Sequence, residues 1–132
     1  MRRAHKNSRG FTLIEMMIVI SLILILVSIA LPVYNRSILR AKESVLKQDL
    51  FTLRNVISQY TLDKQKAPQA LDDLVQAGYL KVIPKDPFTN EANWTPDQED
   101  SVMAVDQQEP GIVDVHSASN ETSMDGTAYS SW

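Results

Sequence analysis

The sequence predicts an α+β protein, in which one long N-terminal helix with a transmembrane first half packs on a small antiparallel-sheet head. Three observations carry this. Residues 11–31 form an apolar run long enough to cross a bilayer. After Pro32 the helical periodicity continues to about Lys66 but turns amphipathic. Beyond Ala67 short apolar segments alternate with loops rich in turn formers, the pattern of a small sheet. At 132 residues the chain has room for one domain. Its expected parts are residues 1–10, a basic leader; 11–31, a membrane-spanning helix; and 32–132, the amphipathic continuation and globular head.

Residues 1–10 carry Arg2, Arg3, Lys6 and Arg9 and no acid. The 21 apolar-rich residues that follow would make a helix of about 31 Å, matching the hydrocarbon core. A secretory signal has a shorter apolar region and a small-residue cleavage site after it. A plain anchor fits the length, with the basic leader kept in the cytoplasm by the positive-inside bias and the remainder outside. It leaves Glu15 unexplained. A carboxylate at mid-membrane costs about 2.5–3.5 kcal/mol, and less near an end.

Pro32 removes one helical hydrogen bond and is expected to bend or loosen the helix. Past it, Leu39, Leu46, Leu50, Leu53, Ile57 and Tyr60 repeat at helical spacing, forming a seam for a partner surface. The intervening charged and amide side chains face solvent. A helix over Thr12–Lys66 would approach about 80 Å. Too few heptads are present for a lone coiled coil, so the seam is assigned to the head.

Ala67-Pro68 is expected to end this helix. QALDDLVQAGYL reads as a short helix with Leu71, Leu74 and Val75 inward, Asp72 and Asp73 solvated, and Gly78 at its C-terminal cap. Leu80–Ile83 reads as extended, and IPKDPFTNEANW as a loop. SVMAVD and GIVDVHS, separated by QQEPG, read as an antiparallel hairpin. The polar tail SASNETSMDGTAYSSW carries Tyr129 and Trp132 as anchors on the sheet.

After Lys66 only Lys81 and Lys85 face twelve acids. This balance argues against a nucleic-acid partner and leaves room for a cation. There is no cysteine, hence no disulfide framework or thiol chemistry. His5 lies in the leader, so His116 alone is left to build a site, and no P-loop, dinucleotide fingerprint, G-x-S-x-G or HExxH is present. No enzyme is expected.

Gly10-Phe11-Thr12-Leu13-Ile14-Glu15, after its basic leader, resembles the prepilin-peptidase recognition sequence of type IV pilins and type II secretion pseudopilins. The resemblance implies cleavage between Gly10 and Phe11 on the cytoplasmic side and N-methylation of Phe11. Pro32 then takes a place where the family often has proline. The physics agrees. Cleavage would create a Phe11 amine, mostly cationic at neutral pH, on the same helix face as Glu15. Staggered helices would let Glu15 meet the amine of a neighbouring copy, so that a buried acid favours assembly over lone chains. The alternative is a first-turn glutamate that complements the helix dipole.

Gly78–Asn90, GYLKVIPKDPFTN, is similar to the GYLK..PKDPWGNP block of the major, G-type pseudopilins. Phe88 replaces the usual tryptophan and Glu91 a proline, and the tail is shorter than the family's calcium loop. The resemblance implies a type IV pilin-like fold and a tail-bound calcium. Asp114, Ser117, Ser119, Asn120, Glu121, Ser123 and Asp125 offer oxygens for such an ion, without the family's aspartate spacing. The first alternative is an acidic solvent-facing loop.

As a member of that family the chain would be a subunit of a homopolymeric pseudopilus driving protein export. It would sit in the bacterial inner membrane as a single-pass protein with a periplasmic head. Its partners would be further copies of itself, prepilin peptidase, minor pseudopilins and the inner-membrane platform. The alternatives are a type IV pilin for adhesion, motility or uptake, and a single-pass anchored binding domain that does not polymerise.

Overall fold

The computed structural model describes residues 10–99 and 110–132. In chain order it contains α1 (Leu13–Lys64), α2 (Leu71–Gln76), β1 (Thr95–Glu99), β2 (Gly111–His116) and a 3-10 turn, Tyr129–Ser131. The chain divides into two compact units, Met1–Ile38 and Leu39–Trp132.

In the first unit the helix begins where Thr12 provides a cap. The Glu15 N–H donates to Thr12 Oγ1 at 3.2 Å and the Met16 N–H to the Thr12 carbonyl at 3.1 Å. Thr-x-x-Glu is the sequence form of a capping box. The apolar side chains from Leu13 to Leu31 are exposed, and α1 is long and apolar enough here to cross a membrane. The helix runs through Pro32 without interruption. Ser28 Oγ donates to the Ile25 carbonyl at 2.7 Å and Ser21 Oγ to Met17 at 2.8 Å, so these hydroxyls are satisfied without water.

In the second unit the seam of α1 becomes core. Leu46, Leu50, Leu53, Ile57 and Tyr60 are buried, and Leu39 is half-buried. The seven-residue gap between Leu39 and Leu46 is filled by Glu43, which is also buried. Positions 39, 43, 46, 50, 53, 57 and 60 thus form one stripe, one of whose members is a carboxylate. Against the stripe pack Leu74, Trp94, Ile112, Val115 and Tyr129, with Phe88 and Trp132 at the margin.

The helix ends at Lys64, two residues before the expected Lys66. Gln65 adopts a left-handed φ of 56°, which stops the helix before Ala67-Pro68 is reached. At the N-terminus of α2, Asp73 Oδ2 accepts the N–H groups of Gln69 and Ala70 at 2.9 and 3.0 Å. Asp73 therefore caps this helix rather than merely facing solvent. At its other end the Gly78 N–H donates to Val75 and the Tyr79 N–H to Leu74, at 3.1 and 2.9 Å. Gly78 sits at φ +84°, so this is the Schellman closure that a glycine makes cheaply.

The expected strand SVMAVD (101–106) lies outside the described residues. The described partner of GIVDVH is TPDQE, a segment to which the sequence reading assigns no element. β1 and β2 pair antiparallel, with Thr95 opposite His116 and Glu99 opposite Gly111. β1 is exposed along its whole length and contains Pro96, which an edge strand tolerates. The register slips after Asp97, which faces Asp114, so that Gln98 faces Ile112. That bulge leaves Val113 unpaired and exposed, and it turns Ile112 and Val115, three residues apart, to the same core. Leu80–Ile83 joins no strand. Lys81 and Val82 form a bend.

Candidate functional site

Two regions carry the residues singled out by sequence: the N-terminal motif and the tail. In the first, Gly10 and Phe11 are exposed immediately before the helix. A Cβ added at Gly10 would meet nothing within 4 Å, and Gly10 is not among the glycines of positive φ. Nothing within the described chain therefore requires glycine there. Glu15 is exposed in the first helical turn and makes no ion pair among the described residues.

The tail differs from the reading of it as one calcium shell. Asp114 lies on β2, where its Oδ1 accepts Arg54 Nε at 2.6 Å and the Val115 N–H at 2.7 Å. Partial burial opposes ionisation of Asp114, but these two donors and, more weakly, His116 hold its carboxyl below the ordinary range. Arg54 also reaches the carbonyls of Val115 and Trp132 at 3.1 and 3.0 Å. One guanidinium thus joins α1, β2 and the chain's last residue.

Ser117 is almost fully buried and donates its hydroxyl to Asp86 Oδ2, while its oxygen accepts the Ser119 N–H at 3.1 Å. Ser119 Oγ accepts the Glu121 N–H at 3.3 Å. Ser123 Oγ accepts the N–H groups of Asp125 and Thr127, both at 3.2 Å. The buried serines point inward and their oxygens already serve the chain's own N–H groups. Asn120, Glu121 and Asp125 are exposed. Asp125 borders a recess of about 380 Å³ that is also lined by Lys47 and Arg54, two cations. Asp114 and Ser117 therefore do not fit a shared calcium shell with Asn120, Glu121 and Asp125. Their oxygens belong to an ion pair and to a buried hydrogen bond.

Among the described residues the carboxylate and imidazole groups that do converge are Asp97, Asp114 and His116, with one ligand atom each within 4.8 Å. The His116 ring nitrogens face the Trp132 carbonyl and Asp97 Oδ2, the latter at 3.0 Å. Asp97 and Asp114 stand opposite each other across the ladder, and Arg54 and His116 offset their repulsion.

Sequence reasoning missed three residues that organise the head. Asp86, in the PKDPF block, is fully buried; besides Ser117, it accepts the Phe88 N–H at 2.8 Å. The Trp94 indole donates to the Pro84 carbonyl at 2.8 Å. Glu43 Oε1 accepts the Met124 N–H at 2.8 Å and the Tyr129 hydroxyl at 2.9 Å. The break in the apolar repeat between Leu39 and Leu46 was the available signal for Glu43. Phe88, in place of tryptophan, stacks on Tyr129 with ring centroids 4.0 Å apart.

The family model for the prokaryotic N-terminal methylation motif matches residues 5–31. The chain is 33% identical over 105 residues to the type II secretion system core protein G of Escherichia coli K12, covering 67% of this chain and 72% of that protein. The chain belongs to the core protein G, or major pseudopilin, family. It is 32% identical over 81 residues to the competence protein ComGC of Halalkalibacterium halodurans, covering 61% of this chain and 79% of that protein. It is also 41% identical over 61 residues to the type IV major fimbrial protein FimA of Dichelobacter nodosus, where the likeness covers 46% of this chain and 38% of the fimbrial protein. No solved structure matches this pseudopilin.

Proposed function

We propose that this pseudopilin is the structural subunit of a type II secretion pseudopilus, polymerising through its N-terminal helix to drive protein export across the outer membrane. The observation that supports it best is the pairing of a glycine that the fold does not require with an exposed acid five residues on, in the first helical turn. In this reading the glycine at this exposed, unstrained position serves another protein, a prepilin peptidase that cuts between Gly10 and Phe11 and leads to N-methylation of Phe11. An acid at the head of an apolar helix is satisfied when the freed Phe11 amine of an adjacent copy meets it. The work is mechanical, and no catalytic residue takes part.

The head is assigned to the periplasm because the basic leader would stay in the cytoplasm. Minor pseudopilins and the inner-membrane platform are the further partners. Overexpression in a host carrying the secretion machinery, followed by electron microscopy of sheared material, tests the reading. Homogeneous fibres of this chain are expected, and membrane-bound monomers alone would favour a non-polymerising anchor. Deletion in the native host should abolish export. Intact export with lost adhesion or motility would favour the type IV pilin reading.

A further inference from the structure

The tail closes on the helix through a carboxylate. Glu43 is 7% exposed and Tyr129 fully buried, and they are 86 residues apart in sequence. Glu43 Oε1 takes both the Tyr129 hydroxyl and the Met124 N–H, so one atom of α1 holds the tail at two points five residues apart. Between those points the loop is braced internally. The Ser123 N–H donates to Thr127 at 2.7 Å, Thr122 bridges to Ala128, and Ser123 Oγ gathers two further N–H groups. The Tyr129 N–H returns to the Glu121 carbonyl at 3.0 Å, and the Tyr129 ring is held between Phe88 and Trp132.

A loop-bound calcium would gather six to eight oxygens and so fix where the tail lies. In this chain the buried tail oxygens are already acceptors for the tail's own N–H groups, and Asp114 is paired with Arg54. The two functions of such an ion, closing the loop and anchoring it to the rest of the head, are both met by protein groups. We propose that Glu43, acting through Met124 and Tyr129, is the anchor of the tail in this pseudopilin, and that the tail is fixed without calcium. The latch lies within the head and is independent of whether the subunits polymerise.

The test uses the full chain in detergent, followed by tryptophan fluorescence on heating and by limited proteolysis of the tail. Wild type is expected to melt at the same temperature in millimolar calcium and in chelator. Glu43→Ala should lower the melting temperature by several degrees and expose the tail to protease in both conditions. Tyr129→Phe removes only the hydroxyl and keeps the ring stack, so it guards against a variant that simply fails to fold. In the double variant the two losses should add to clearly less than their sum, because they share one contact. A rise in melting temperature with calcium that Asp125→Ala abolishes, or strictly additive losses in the double variant, would overturn the proposal.

Discussion

The Tyr129 hydroxyl donates to Glu43 Oε1 at 2.9 Å inside the head, joining the tail to the middle of a 52-residue helix. Burial first, and the Glu43 carboxylate second, push the Tyr129 hydroxyl up to about 12. A tyrosine in the unfolded chain ionises near pH 10, about two units lower. The contribution from this group is therefore fully present below pH 10 and is lost as pH rises from about 10 to about 12, where the unfolded state releases the proton more readily. Thermal melts across that window should show a fall in stability that Tyr129→Phe reduces. An identical alkaline slope in the phenylalanine variant would assign the effect to other groups.

On the acid side, the relevant pair is Arg54 and Asp114. The carboxyl of Asp114 is depressed in the folded state, so its contribution is present above the ordinary carboxylate range and fades as pH falls through and below it. Both side chains are 39% exposed, and solvent screening keeps the ion-pair part small. Arg54→Lys should nevertheless cost about 1–2 kcal/mol, because lysine cannot serve Asp114, Val115 and Trp132 together. Denaturant melts at neutral pH check the magnitude, and a lysine variant as stable as wild type would refute it.

Asp86 is the second buried carboxylate of consequence. Asp86→Ala leaves the Phe88 N–H and the Ser117 hydroxyl without their acceptor, at about 1–3 kcal/mol for each buried group so stranded. Ser117→Ala removes one partner only and should cost less. Equilibrium unfolding of the two variants orders them, and the reverse order would mean that Asp86 is dispensable to the PKDPF loop.

Processing and assembly separate at Gly10 and Glu15. Replacing Gly10 with a bulky residue is expected to leave the fold intact, since a Cβ there meets nothing, while blocking removal of residues 1–10. Intact mass of membrane-purified protein reads this directly. Wild type should begin at Phe11 and the variant should keep its leader.

Glu15→Val should insert and be processed, because the change makes the segment more apolar. The Thr12 cap also survives, since Thr12 Oγ1 accepts the backbone N–H at position 15 rather than the side chain. Fibre yield should fall sharply. Wild-type assembly by the valine variant would reduce Glu15 to a dipole-complementing first-turn acid.

What the sequence determined by itself was what local periodicity encodes. The membrane-length helix, the seam of Leu46, Leu50, Leu53, Ile57 and Tyr60, and the cap at Gly78 are each set by residues within a few positions of one another, so their spacing announces them. The N-terminal motif was legible for the same reason. Tertiary structure decided what depends on distant partners. TPDQE carries no apolar alternation and becomes a strand because the β2 edge accepts it. Ile112 and Val115 both face inward because a bulge in that pairing shifts the phase between them. Asp114 and Ser117 offered oxygens to the tail on paper. Arg54 and Asp86, 60 and 31 residues away, claimed them first. Glu43 broke an apolar repeat, and only the return of the tail, more than eighty residues later, supplied the donors that make a buried carboxylate there tolerable.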